Sequence, residues 1–159
     1  MGTETEKVYV DEFAFGSCKG CRYCKTEANC ILDDDYRHLW EKIIAADGIA
    51  FGSPVYMGQV TGQAKLALDR LYFLRRSDRS LKHDGGSKKG AVIIVCGADD
   101  PEHPQPSART LDVFFRYLQV REAEKLVVTG VGGRGEVAYR PEVLQQARAV
   151  GRELASPRK

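Results

Sequence analysis

The sequence lacks any apolar run long enough to cross a bilayer. Its longest, Ala91–Cys96, falls far short of the roughly 20 residues that a spanning helix needs. The N-terminus, Met1 to Lys7, is polar and does not read as a signal peptide. Charge is nearly balanced at a net +2, which leaves no electrostatic footprint for nucleic acid or an acidic membrane surface. Histidine is scarce: His38, His83 and His103 are scattered, no nucleophile matches them, and all three read as surface residues. There is no Ser/His/Asp set, no paired-carboxylate arrangement and no Walker-type loop, so hydrolysis and phosphoryl transfer find little support. Such a chain is expected in the cytoplasm, where thiols stay reduced.

What is present begins with cysteine. Cys18, Cys21, Cys24 and Cys30 fall within thirteen residues at the spacing C-x2-C-x2-C-x5-C. Thiolates packed so tightly can turn toward one centre, and soft sulfur donors suit an iron–sulfur cluster or zinc. Two consecutive C-x2-C steps wrap three corners of a cubane, which favours a cluster. A structural zinc site more often pairs two C-x2-C knuckles across a long gap. Disulfides or idle thiols are the third reading, and a reducing compartment weighs against the disulfides. Cys96 stands apart, at the end of an apolar strand, and reads as a small buried hydrophobe.

With 159 residues, 43% hydrophobic and 29% charged, the chain is expected to form a single domain over residues 1–159, large enough for its own core. Val8–Phe13 reads as a short strand entering the cysteine loop. Asp33, Asp34 and Asp35 place negative charge at the head of a helix with Leu39, Trp40, Ile43 and Ile44 on its apolar face. Gly48–Gly52 reads as a strand, Ser53–Val60 as a loop, and Thr61 as the N-cap of a helix bearing Ala64, Ala67, Leu68, Leu71 and Leu74. On that helix Lys65 and Asp69 lie one turn apart, as a surface ion pair would. Ser77–Lys89 reads as a mobile loop or lid, Ala91–Cys96 as a strand, and Gly97–Pro106 as a connection to a helix capped near Ser107. That helix carries the stripe Leu111, Phe114, Phe115 and Leu118. Lys125–Thr129 reads as a further strand. Pro141 opens a last helix with Leu144, Ala147, Gly151 and Leu154 in its stripe. Strands alternating with helices imply a doubly wound parallel sheet in three layers, of class α/β. Ligands of such sheets bind beyond the carboxyl ends of the strands, which puts the cysteine loop, Ser53–Val60 and Gly97–Pro106 on one edge.

Two further patterns bear on binding. In Ser53-Pro54-Val55-Tyr56-Met57-Gly58, proline fixes a turn, Tyr56 offers a face to a flat ligand and Gly58 permits close approach; an ordinary strand-to-helix turn fits equally well. Gly130, Gly132 and Gly135 satisfy G-x-G-x-x-G, but the helix waits until about Pro141 and no ribose-binding acid follows. A dinucleotide site is therefore rejected in favour of a flexible loop.

The stretches CKGCRYCKTEANC, LDDDYRHLWEKIIAADGIAFGSPVY and GQVTGQAKLALDR, in that order, resemble the flavodoxin-like NAD(P)H-dependent FMN reductases, and among them the iron–sulfur flavoproteins. Weaker similarity continues through GADD to GEVAYRPEVLQQAR, over nearly the whole chain. The resemblance implies a homo-oligomeric flavodoxin-like fold that binds FMN, with Ser53, Pro54, Val55, Tyr56, Met57 and Gly58 at the isoalloxazine ring and Gly97, Ala98 and Asp99 closing its other side. Cys18, Cys21, Cys24 and Cys30 would ligate a [4Fe–4S] cluster beside the flavin. NAD(P)H would be the co-substrate, with a small molecule or small redox protein as electron donor or acceptor. One departure is large. The family's first strand, its phosphate-holding loop of the type GSPRxxGNT and its first helix have no counterpart here. The absent strand is internal to the family's order, so Val8–Phe13 would lose its neighbour and two sheet edges or an apolar groove would be exposed. Either a phosphate-binding strand, loop and helix are encoded immediately upstream, which that edge penalty favours, or the strands re-pair and FMN loses its main anchor.

The expected function is FMN-dependent NAD(P)H oxidation coupled to electron transfer, with the cofactors supplying the chemistry and no side-chain acid or base required. Its rivals are an iron–sulfur electron carrier or redox sensor that turns over no nicotinamide, and a zinc-stabilised structural module.

Overall fold

The computed structural model describes residues 3–27, 29–77, 88–120 and 123–156. The strands are β1 (Gly48–Tyr56), β2 (Gln59–Val60), β3 (Lys89–Val95) and β4 (Ala123–Val128); the helices are α1 (Tyr36–Ala45), α2 (Gly62–Arg70), α3 (Gln105–Tyr117) and α4 (Pro141–Ala155). Among the described residues the strands make one sheet in the order β2-β1-β3-β4. β1 and β4 flank β3 in parallel, with Pro54 opposite Val95 and Val95 opposite Val128, whereas β2 folds back antiparallel on the end of β1.

The run KGAVIIV shows why the sheet is covered on both sides. Val92 and Ile94 pack against Leu111, Phe114 and Phe115 of α3, in a cluster joined by Trp40 and Ile43 of α1 and Ala64 of α2. Ile93 and Val95 point the opposite way, toward Val143 and Ala147 of α4. Burial on both faces removes any polar alternation from the strand. The result is the three-layer α/β arrangement expected, with the α3 stripe of Leu111, Phe114, Phe115 and Leu118 wholly buried. Cys96 is buried beyond β3, where its amide donates to Val128 O.

Several local expectations are corrected. Val8–Phe13 is no strand: Val10–Glu12 forms a 3₁₀ turn, and Val8, Val10 and Phe13 pack on Tyr36, Leu39 and Ala67. A strand exists only through a neighbour's hydrogen bonds, and among the described residues this segment has none, so its apolar side chains choose the helices. The sheet edge does open as anticipated. Among the described residues, β1 pairs on its outer side only through Val55 and Tyr56, and its Gly48, Ala50, Gly52 and Pro54 are exposed. α4, the helix on that face of the sheet, has no fully buried residue, and Gly151 of its expected stripe is exposed.

Ser53–Val60 is not a loop but a hairpin. β1 continues to Tyr56, and Met57 (φ 51°) and Gly58 (φ 75°) form its two-residue turn. Positive φ at both central residues is the type I′ geometry that matches strand twist. Leu71 and Leu74 belong to a separate 3₁₀ turn, Leu71–Leu74, after α2. α3 starts at Gln105, so Ser107 lies inside its first turn, buried, instead of capping it. β3 begins at Lys89, and the rest of the expected lid, 78–87, lies outside the described residues, as does His83. His38 and His103 are exposed, as expected. Among the described residues no helix is long and apolar enough to cross a membrane.

Candidate functional site

The cysteine loop is shaped by two left-handed residues, Gly20 and Arg22 (both φ 64°), and by the 3₁₀ turn Tyr23–Lys25. Cys18 and Cys21 are exposed, Cys30 is half-buried and Cys24 is buried. No disulfide joins any of them. All four line one concavity, whose far wall is Arg70, Tyr72 and Phe73. Among the described residues no group of three or more His, Cys, Asp or Glu side chains is arranged to hold a metal ion. The thiols thus share a wall without being drawn around a centre.

That wall is held by a buried ion pair. Arg70, at the end of α2, is 2% exposed. Its Nη1 donates to Asp34 Oδ2 at 2.7 Å and to Gly16 O at 2.9 Å; its Nη2 donates to Asp34 Oδ1 at 3.0 Å and to Cys30 Sγ at 3.5 Å. The guanidinium also lies over the Tyr36 ring. Burial alone would raise the Asp34 carboxyl, but hydrogen bonds from Arg70 and the Gly16 amide hold it below its ordinary value. Burial likewise opposes the charge on Arg70, and the Asp34 hydrogen bond outweighs it, keeping the guanidinium above its ordinary value. Burial pushes the Tyr36 phenol far up, and its hydroxyl donates to Ala67 O at 2.9 Å.

A second clamp is Lys25, within the loop itself. Its Nζ donates to Tyr72 O at 2.6 Å and Arg75 O at 2.5 Å, and stands 3.6 Å from the centre of the Tyr72 ring. In the sequence Asp34 shows only as helix-head charge, and neither Arg70 nor Lys25 stands out. A usable signal existed for Arg70: it lies three residues after buried Ala67, on the inner face of α2, where an arginine requires a partner.

The other expected site lies at the carboxyl ends of β1 and β3. Ser53 is buried; its Oγ accepts from Thr61 N at 3.1 Å and donates to Pro54 O at 2.9 Å. Thr61 caps α2 as expected, accepting from Ala64 N. Val55 is half-buried, whereas Tyr56 is 63% exposed and Met57 fully so, leaving the hairpin tip uncovered. Gly97, Ala98 and Asp99 follow β3, laced to the next loop by Gly130 N to Ala98 O and Val131 N to Cys96 O. Gly97 lies so near Gly132 that a Cβ would sit 3.4 Å from its Cα.

The glycine loop does not have the geometry that a dinucleotide site requires. α4 begins only at Pro141, and Gly132 and Gly133 donate their amides to the carboxylate of Glu136 at 3.0 and 2.8 Å. Those amides, Gly133's foremost, hold Glu136 below its ordinary carboxyl value. Peptide groups that a phosphate would need already carry the chain's own anion.

The expected common edge is realised in part. Parallel register brings Ser53–Gly58 and Gly97–Asp99 to the same end of neighbouring strands. Among the described residues neither segment contributes to the wall around the cysteines, which belongs to the end of α2 and its 3₁₀ turn.

Comparison with known proteins agrees with this architecture. The profile of the family described as NADPH-dependent FMN reductase matches residues 1–130. An iron–sulfur flavoprotein of Methanosarcina thermophila is 39% identical over 97 residues, which are 61% of this chain and 49% of that protein. One from Methanocaldococcus jannaschii is 34% identical over 116 residues, 72% of this chain and 56% of its own. The chain thus spans about half the length of these curated relatives. Among solved structures, an NAD(P)H:quinone oxidoreductase from Methanothermobacter marburgensis superposes with a TM-score of 0.67 at 20% identity, over 98% of this chain and 82% of that one. A flavone reductase reaches 0.69 at 16% identity, over 97% of this chain and 52% of its own. These likenesses show the flavodoxin-like fold. With a mostly parallel α/β sheet and a family profile covering most of its length, the chain belongs to the NADPH-dependent FMN reductase family.

Proposed function

We propose that the chain serves FMN-dependent NAD(P)H oxidoreduction and carries an iron–sulfur cluster on Cys18, Cys21, Cys24 and Cys30. The observation that carries the cluster is the meeting of four thiols on one concavity backed by a buried cation. Soft sulfur donors without histidine or carboxylate are the donor set of such a cluster. When bound, FMN exchanges two electrons with a nicotinamide, and a [4Fe–4S] centre exchanges them singly.

The chain's own residues bind and orient. Tyr56, uncovered at the hairpin tip, would offer its ring to the isoalloxazine when FMN is bound. Ser53 holds the hairpin against the start of α2 through Thr61, fixing where that ring face stands. Gly97, Ala98 and Asp99 border the same end of the sheet, and Gly97 lets its loop pack closely against Gly132. The thiols would hold the cluster, while Arg70 and Lys25 keep their loop against α2 and its 3₁₀ turn. No described side chain is asked to move a proton. The GSPRxxGNT-type loop that would hold the FMN phosphate has no counterpart in this sequence.

The experiment is steady-state oxidation of NADH and NADPH with and without added FMN. Oxidation that requires FMN and weakens in Tyr56→Ala supports the reading. Oxidation indifferent to FMN, or no oxidation at all, overturns it.

A further inference from the structure

The Arg70 guanidinium does more than the loop's architecture demands. A clamp between α2 and the cysteine loop is complete once Nη1 and Nη2 hold the Asp34 carboxylate and Nη1 holds Gly16 O. Two features remain. Nη2 also reaches Cys30 Sγ at 3.5 Å, and Nε is buried with no partner among the described residues. Arg70 is itself part of the wall that the cysteines line. Of the two, the Nη2 contact is the one that reaches the site, because it ends on a cysteine of that wall.

We propose that Arg70 is a positioning residue of the cysteine site that, acting through Cys30, raises the reduction potential of the iron–sulfur cluster. This rests on the cluster assignment above. A cubane on four thiolates is anionic and gains one more negative charge when it accepts an electron. Hydrogen bonds to its sulfurs, nearby charge and exclusion of solvent are the protein's means of adjusting that couple. Arg70 combines all three: it carries a permanent charge, it is nearly inaccessible to water, and it donates to a ligand sulfur. Asp34 sets how much of the charge the cluster feels, because its carboxylate lies along the same fork. The two residues therefore act in opposition. Removing the cation disfavours the reduced state, and removing the anion favours it. A residue that only braced the loop would give no such pair of signs.

The test is a redox titration of the full chain, purified anaerobically and followed by visible absorption and electron paramagnetic resonance. Iron and sulfide are assayed in the same samples. Arg70→Gln is expected to lower the ratio of reduced to oxidised cluster at fixed ambient potential by about tenfold, about 59 mV for a one-electron couple. Arg70→Lys, which keeps the charge and loses the fork, is expected to shift it less. Asp34→Asn is expected to shift it the other way. If Arg70→Gln does not fold, Arg70→Lys and Asp34→Asn still decide the matter by the opposite signs of their shifts. A wild-type cluster whose potential is unmoved by these substitutions, or moves in the same direction in all, overturns the role of Arg70 and leaves the cluster assignment intact. Wild-type protein without iron and sulfide overturns both.

Discussion

Arg70 and Asp34 meet fork to fork, with Nη1 2.7 Å from Oδ2 and Nη2 3.0 Å from Oδ1, across 36 residues of sequence. The pair ties the end of α2 to the segment that follows the cysteine loop, in surroundings from which the guanidinium is almost wholly shielded. Its consequences begin with acid stability. The folded-state value of Asp34 lies below its ordinary 3.8. Its contribution is therefore complete above that value and lost as pH falls through the lower, native one. Asp34→Asn is expected to cost about 3 kcal/mol at neutral pH, since it strands a buried cation. In denaturant titrations the gap from wild type should stay constant from about pH 7 to 5 and close progressively in stronger acid. A gap undiminished at about pH 2 contradicts the assignment.

The Lys25 clamp predicts where the cysteine loop is protected. Lys25→Met removes charged hydrogen bonds to Tyr72 O and Arg75 O, each worth about 1.5–3 kcal/mol. Amide exchange at Lys25, Thr26 and Glu27, whose N–H groups close the 3₁₀ turn, should accelerate by about tenfold or more. Unchanged protection would mean that the loop holds itself.

Ser53 offers a flavin-independent check on the hairpin. Its hydroxyl satisfies Thr61 N and Pro54 O in a buried position. Ser53→Ala is expected to lower stability by about 1–2 kcal/mol in protein freed of flavin, read from the urea midpoint. An effect visible only with flavin bound would assign the hydroxyl to the ligand instead.

Two glycines should respond to alanine for different reasons. A Cβ on Gly90 would sit 2.7 Å from two Phe115 ring atoms and 2.9 Å from Val120, an overpacking of about 1–3 kcal/mol. A Cβ on Gly58 meets nothing within 4 Å, but φ is +75°, so its cost of about 1–2 kcal/mol is backbone strain. Asparagine should therefore rescue position 58 and worsen position 90. Thermal unfolding of the four variants separates the two mechanisms.

What the sequence disclosed follows from how local each determinant is. The stripe Leu111, Phe114, Phe115 and Leu118 was legible because helical spacing decides which residues turn inward. Residues 91–95 were legible because an unbroken apolar run, β-branched from Val92 onward, suits a strand buried on both faces. Val8–Phe13 misled because strand propensity does not provide a neighbour. Ser53–Tyr56 misled because Ser and Pro look like turn residues, whereas the turn is made by Met57 and Gly58, one of them in a conformation that methionine seldom adopts. Ser107 looked like a cap, but the prolines before it let α3 begin earlier. The cysteines declared themselves by spacing. Arg70 did not, because its partners Gly16, Cys30 and Asp34 are distant in sequence and only the fold collects them.

The central claim is that the four thiols on one concavity hold an iron–sulfur cluster. The most direct measurement is iron, acid-labile sulfide and zinc per chain after anaerobic purification, for wild type and Cys24→Ser. About four iron and four sulfide per chain in wild type, with broad absorption across the visible range and a marked loss in Cys24→Ser, is the predicted result. One zinc per chain in a colourless protein, or iron content indifferent to Cys24, would contradict it.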